Sequence, residues 1–448
     1  MVESQEETIV AVATPRGEGA LAIVRLSGCH AMRIANECLG RGSPVDANCD
    51  RTLLLRDILD QDGERIDQVI VTTFVGPRSF TGEDTVELTC HGGEYVSARI
   101  VERLVEAGAR VANAGEFSER AFTNGKIDLT QAEAIMQVVS ARTVHSLRAA
   151  NSQMNGGLRK RVQALRERIL HILAQIEARI DFPEEDIEPE TAATWEASIT
   201  SISEDLQTLA AHRERSRMLI DGVSVAIVGP PNVGKSSLAN RFLGFNRSIV
   251  SDIPGTTRDT VEEMIDLDGF PFRLIDTAGI RNPADDIEKE GVIRSRRTME
   301  EADIVLITAA ADQAPPEEFF QTCRKKDIWV VNKCDLELDA RWHSFPSSWL
   351  PVSCKTGAGI GELLSLLRNK LFSSEPETRF LINMRQNDAL QRCREHLNAS
   401  VQMIQKGLDE ELVAIAVREA IQAVESITGG ALDEDLLNSI FGSFCLGK

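Results

Sequence analysis

The sequence predicts a multidomain chain: an α+β N-terminal domain, an all-α helical domain, and an α/β P-loop domain with a doubly wound sheet inserted into those helices. Three observations predict it. Short Val-, Ile- and Thr-rich runs gather in the first 120 residues, long stretches of helical apolar spacing stand on both sides of residues 221–372, and between those stretches β runs alternate with helical segments around a phosphate-loop motif. The boundaries read as 1–120 for the N-terminal domain, 121–215 for the first helical half, 216–375 for the inserted domain and 376–448 for the second helical half. At 448 residues the chain holds about three domains, each able to bury its own core.

In the N-terminal part TIVAVAT, ALAIVRLSG, DQVIVTTFV and TVELTCHG read as strands, and HAMRIANECLG and YVSARIVERLVEAG as helices closed by glycine. From residue 121, LTQAEAIMQVVSARTVHSLRAA and LRKRVQALRERILHILAQIEARI place apolar residues at i, i+3 and i+4, and DFPEEDIEPE interrupts them before a further helix through SISEDLQTLAAHRERSRML. SVAIVG, FRLIDT, DIVLIT, IWVVNK and SWLPVS read as parallel strands of the inserted domain, after which DALQRCREHLNASVQMIQKG and EELVAIAVREAIQAVESITGG return to helical spacing. Neither helical flank buries its apolar stripe alone, so the two are expected to pack together.

Composition removes several classes. Apolar residues at 42% and charged residues at 26% are ordinary globular usage, and the net charge of −20 excludes broad attraction to phosphate backbones or anionic lipid. Nine cysteines without a Cys-x-x-Cys pair fit neither a disulfide framework nor a zinc knuckle, and no apolar run approaches the roughly 18–20 residues that span a bilayer. The expectation is a cytoplasmic protein with no membrane attachment. The most cationic run is RKRVQALRER, whose Arg159, Lys160, Arg161, Arg166 and Arg168 are the candidate RNA-facing residues.

SVAIVGPPNVGKSSL is a strand, a glycine-bounded loop from Gly229 to Gly234-Lys235-Ser236, and a helix, which is the context a phosphate loop requires. Backbone N–H groups turned inward at a helix N-terminus hold phosphates, Lys235 reaches the outer oxygens and Ser236 offers its hydroxyl to magnesium. FRLIDTAG places Asp276 at a strand end, where a carboxylate serves magnesium, and Gly279 where an amide senses the terminal phosphate. Asn332, Lys333 and Asp335 close IWVVNKCD, and an aspartate accepts two N–H bonds from a guanine edge that adenine lacks. Ser353, Cys354 and Lys355 form the loop that closes over the base; Thr256 and Thr257 lie in SDIPGTTRD, a mobile loop whose threonine completes the magnesium shell. The full nucleotide set is Asn232, Val233, Gly234, Lys235, Ser236 and Ser237; Ser251, Asp252, Ile253, Pro254, Gly255, Thr256 and Thr257; Asp276, Thr277, Ala278 and Gly279; Asn332, Lys333 and Asp335; and Ser353, Cys354 and Lys355. Magnesium falls to Ser236, Thr257 and Asp276. The residue after DTAG is Ile280, which cannot orient water, so a group in IRNPADDIEKEG must do so: Arg281, Asp285, Asp286, Glu288 and Glu290 are the candidates.

These motifs occur together with TIVAVATPRGEGALAIVRLSG, SFTGEDTVELTCHGGE, GEFSERAFTNGKIDLTQAEAI, IDFPEEDI and a terminal FCLGK. In that combination the chain resembles the MnmE (TrmE) family of tRNA-modification GTPases over essentially its whole length. The resemblance implies an N-terminal domain that dimerises and binds a tetrahydrofolate derivative of 5-formyl or 5,10-methylene type, and a Ras-like G domain that binds GTP, magnesium and potassium. It implies a homodimer acting with the flavoprotein MnmG, in a heterotetramer or larger complex, on carbon 5 of the wobble uridine of certain tRNAs. FAD and NADH would reside on the partner. Arg25, Glu87, Lys126 and terminal Lys448 fall on the family's folate positions; Asn232, Ser251, Ile253 and Thr256 on its potassium positions; and Glu288 on its catalytic glutamate, with Arg281 as a second catalytic carry-over. Cys445 is read either as a neighbour of the one-carbon unit or as a small buried residue. The family's TPPGRGG reads TPRGEGA here, a departure that bears on the folate pocket. A ribosome-assembly or RNA-binding GTPase switch is the alternative; its usual appended RNA-binding domain is not what flanks this nucleotide module.

Overall fold

The structure, a computed structural model, describes residues 7–181, 192–245, 263–275, 299–300, 302–316, 324, 327–345, 348–371, 380–430, 432, 434–442, 444 and 447. The chain divides into two compact units, one of residues 1–136, 162–170 and 418–448 and one of residues 137–161 and 171–417.

The first unit is built on β1 (Ile9–Val12), β2 (Leu21–Ser27), α1 (Ala31–Cys38), β3 (Leu53–Leu59), β4 (Arg65–Phe74), β5 (Thr85–His91), α2 (Glu94–Glu106), β6 (Arg110–Val111) and α3 (Glu116–Thr123). Its sheet runs β3-β4-β5-β2-β1-β6, antiparallel throughout except for the β1–β6 pair. Alternation decides the faces: Ala22, Val24 and Leu26 of β2 point under α1 and α2, into a core with Ile34, Val69, Val71, Leu88, Ile100 and Leu104. On the opposite face, Phe117 of α3 covers Ile9 and Ala11 of β1. β3 bears Leu53 and Leu55, 70% and 60% exposed, with no polar alternation, which is why the sequence reading passed over this strand.

The helices that follow are α4 (Leu129–Ser140), α5 (Val144–Met154), α6 (Gly157–Asp181), α7 (Ala192–Ala211) and α8 (Arg213–Ile220). Where one long helix was expected through residues 129–150, the chain breaks at 141–143, because the Thr143 hydroxyl accepts from the Ser146 N–H and caps a new helix. Likewise α7 and α8 replace the single helix read through 201–219.

The second sheet comprises β7 (Val223–Val228), β8 (Glu263–Leu267), β9 (Phe270–Ile275), β10 (Ile304–Ala310), β11 (Ile328–Asn332) and β12 (Trp349–Pro351), in the order β12-β11-β10-β7-β9-β8. All neighbours are parallel except β8–β9, an antiparallel edge hairpin. The expected parallel sheet is therefore mixed; β8 escaped notice because acidic residues interrupt its apolar pattern in EMIDL. α9 (Lys235–Phe245) and α10 (Ile360–Leu371) cover one face, sharing a core with Ala149 and Ala150 of α5 and Leu219 of α8.

α11 (Met384–Gln405) opens with a capping box between Asn383 and Gln386. It packs antiparallel on α7, with Ser203 donating to Asn398 and Arg394 to Gln207, so helices from before and after the α/β segment do pair. Within the first unit Arg166 of α6 pairs with Glu425 of α12 (Glu410–Thr428), and Phe441 of α13 (Glu434–Gly442) packs among Phe122, Leu129 and Ala132.

Candidate functional site

β7, an inner strand buried along its whole length, delivers the chain to Gly229 at its C-terminal end. Gly229 has φ +148°, and a Cβ there would overlap the Thr308 carbonyl oxygen of β10, so only glycine lets the loop leave this strand. Asn232 also takes a left-handed conformation, at φ 62°, before α9 begins at Lys235. The Lys235 ammonium donates to the Gly229 and Pro230 carbonyls, each at 2.8 Å, folding back over the loop it belongs to. Burial pushes that ammonium below the usual lysine range, which favours its exchange of carbonyls for an anion.

Asn332, 2% exposed at the end of β11, donates through Nδ2 to the Val233 carbonyl at 2.8 Å and accepts at Oδ1 from the Cys354 N–H at 3.0 Å. One side chain thus fastens the phosphate loop to the loop after β12. The next residue, Lys333, turns left-handed at φ 62° and directs the chain to Asp335. Ser353 donates to Asp335 Oδ1 at 2.6 Å, and this hydrogen bond holds the exposed carboxyl below its ordinary value, ionised and oriented. The 353–358 loop closes on itself, Ser353 N–H to Ala358 and Thr356 N–H to Ser353 Oγ, while Arg241 of α9 donates to the Cys354 and Lys355 carbonyls. Burial pushes the Cys354 thiol up to about 11, so that residue serves through its backbone.

The described residues therefore bring Asn232–Ser237, Asn332, Lys333, Asp335 and Ser353–Lys355 to one end of one sheet. Ser251–Thr257, Asp276–Gly279, Arg281, Glu288, Cys445 and Lys448 lie outside the described residues. Asn332 as the brace and Arg241 as the clasp were not read from the sequence: a motif spacing shows what a loop can bind, and neither contact leaves a local pattern.

In the first unit Arg25 and Glu87 are cross-strand partners in β2 and β5, joined Nε to Oε1 at 2.8 Å, on the sheet face away from α1 and α2. The Arg25 guanidinium lies 6.0 Å from the Phe80 ring centroid and 5.7 Å from that of Phe117, and its Nη1 reaches the Gly447 carbonyl at 3.5 Å. Gly447 itself lies against β1, where a Cβ would overlap the Val12 carbonyl oxygen. Lys126 donates to the Pro77 carbonyl at 2.6 Å and does not join the Arg25–Glu87 pair. The motifs SFTGEDT and GEFSER meet in a buried ion network that spacing did not disclose: Ser27 and Arg120 both donate to Glu83, and Arg120 and Arg110 both donate to Glu116. Burial works to raise the Glu116 carboxyl, but Arg110, the Asn113 N–H and Arg120 outweigh it and hold it below the usual range.

A mixed α/β sheet carrying a phosphate loop, an aspartate-bearing base loop and an asparagine between them defines a P-loop nucleotide-binding protein of the GTPase class. Residues 8–126 match the family described as GTP-binding protein TrmE N-terminus, and residues 129–445 the MnmE helical domain. The chain is 44% identical, over 99% of both chains, to the tRNA modification GTPase MnmE of Akkermansia muciniphila. It is 40% identical to that of Moorella thermoacetica, over 99% of this chain and all of the other. A solved G domain of the T. maritima FeoB iron transporter covers 33% of this chain and 98% of its own at 26% identity, with a TM-score of 0.25. The chain belongs to the MnmE family of tRNA modification GTPases.

Proposed function

We propose that the chain hydrolyses GTP and, with a flavoprotein of the MnmG type, installs an aminomethyl or carboxymethylaminomethyl group on carbon 5 of the wobble uridine of tRNA. The observation that carries the nucleotide half is the Asn332 brace between the phosphate loop and the Ser353–Asp335 base loop. End-to-end similarity to relatives named tRNA modification GTPase supports the other half. Asp335, kept ionised by Ser353, reads guanine; Lys235 neutralises the outer phosphates. Ser236 at the start of α9 suits magnesium, with Thr257 and Asp276 as its further ligands, and Asn232 suits potassium together with Ser251, Ile253 and Thr256. Bound cations supply charge neutralisation between the phosphates. Glu288 is assigned to polarise the attacking water, with Arg281 as a second catalytic residue.

In the N-terminal domain Glu87 accepts from the amino and ring N–H groups of a pterin, and Arg25 answers carboxylate or carbonyl oxygens, with Lys126 and Lys448 as outer cations. The donor set fits a tetrahydrofolate, since the ion pair is only about one-fifth exposed and two phenyl rings flank it. Folate supplies a one-carbon unit. The same sheet face carries exposed Leu21, Leu53 and Leu55, apolar surface suited to a second copy of the chain and so to a homodimer.

GTP hydrolysis measured in potassium and in sodium at equal ionic strength, with sedimentation in a transition-state mimic, tests the reading. Faster turnover in potassium with association of the chains is expected, and Glu288→Ala should bind GTP while losing nearly all turnover. Equal rates in both salts without association would leave a GTP switch of the ribosome-assembly kind.

A further inference from the structure

RNA contact poses a problem for a chain of net charge −20, because phosphate binding rests on clustered cations. The cationic run read from sequence does not solve it alone, since Arg166 is committed to Glu425. The longest acid-free stretch of the sequence, however, lies between Glu133 and Glu167, in a protein with 69 acidic residues. It holds Arg142, Arg148, Arg159, Lys160, Arg161 and Arg166.

The structure exposes the cations of this stretch. Arg142 stands in the break before α5, Arg148 on the solvent side of α5, and Lys160 and Arg161 at the start of α6; all four are exposed. Among the described residues none of the four has an ion-pair or side-chain hydrogen-bond partner, whereas Arg25, Arg110, Arg120, Arg217 and Arg324 are each bound to a carboxylate. The platform is firmly seated. Ser146 donates to the Leu219 carbonyl, Gln153 accepts from the Leu381 N–H, and Ala149 and Ala150 are buried in the core beneath the second sheet, so the opposite side of α5 is held outward.

We propose that Arg142, Arg148, Lys160 and Arg161 form the surface that holds the ribose-phosphate backbone of RNA. The inference rests on the tRNA reading above. Four exposed cations without a partner among the described residues, with no nearby acid in sequence to repel an anion, match a polyanion, since Arg and Lys are the side chains that hold phosphate oxygens. Exposed Val144 and Leu147 on the same helix make an acidic protein surface the competing occupant.

The test uses the full chain, labelled bacterial tRNA and fluorescence anisotropy across a salt series. In the quadruple variant Arg142→Gln, Arg148→Gln, Lys160→Gln, Arg161→Gln, affinity should fall about tenfold or more, and the slope of log K against log salt should lessen by roughly 0.7–0.9 per lost contact. GTP hydrolysis should persist at the wild-type rate. A control variant with the same net charge, Arg33→Gln, Arg41→Gln, Arg392→Gln, Lys406→Gln, should bind tRNA as wild type does. Equal losses in both variants, or none in the first, would overturn the proposal, as would loss of flavoprotein binding with tRNA binding intact. Failure of the unaltered chain to bind tRNA would instead sink the parent reading.

Discussion

The nucleotide site and the Arg25–Glu87 site are built in opposite ways. The first is backbone: a glycine under a carbonyl, two left-handed residues and a buried asparagine shape loops whose peptide groups carry the proposed binding. The second is side chain against side chain across strands, with residues 25, 87 and 447 brought together by the fold alone. A backbone site tolerates almost no change in shape; a side-chain site tolerates changes in charge poorly and changes in shape well.

The sharpest way to break that comparison is one extra methyl group. Gly229→Ala sets a Cβ against the Thr308 carbonyl, between a buried strand and a helix that cannot both move, and should cost about 3 kcal/mol or more. Thermal melts and loss of GTP binding would report it. Asn332→Ala comes next: it strands the Val233 carbonyl and the Cys354 N–H, at about 1–3 kcal/mol for each buried group, and should lower both stability and GTP affinity.

Acid titration compares the two units. Burial tends to raise the Asp303 carboxyl, but the Ser224 N–H and hydroxyl and Arg217 overcome it, and its value lies below the ordinary 3.8; Glu116 lies below 4.5. A carboxyl depressed in the folded state stabilises above its unfolded value and loses that contribution as pH falls through the folded one. Wild-type denaturation midpoints should therefore drop below about pH 4, and Asp303→Asn or Glu116→Gln should each flatten that acid limb from a lower starting stability. An unaltered slope in either variant would remove that carboxyl from the account.

Arg25→Gln should shift stability by less than about 1 kcal/mol, as expected for a partly exposed cross-strand pair, while tetrahydrofolate binding by calorimetry falls about tenfold.

The same contrast explains how much was legible beforehand. The P-loop and the Asn332–Asp335 loop could be read because a backbone site must write its residues at fixed short spacing. β3 and β8 could not, since their inward and outward residues do not alternate cleanly in polarity. The break at 141–143 was hidden because apolar spacing continues across it, and only the Thr143 cap reveals it. Arg120 joining Glu83 to Glu116, and Gly447 reaching Arg25, are contacts of the folded state with no local signal at all.

Asn332 also limits how the pocket can be dissected. Because its amide is engaged by both loops, a substitution chosen to relax base preference perturbs phosphate affinity at the same time. Any shift in GTP over ATP selectivity measured at this position is a confounded quantity. Asp335, exposed and hydrogen-bonded to Ser353, is the cleaner variable: altering it tests the choice of base while leaving the Asn332 brace in place.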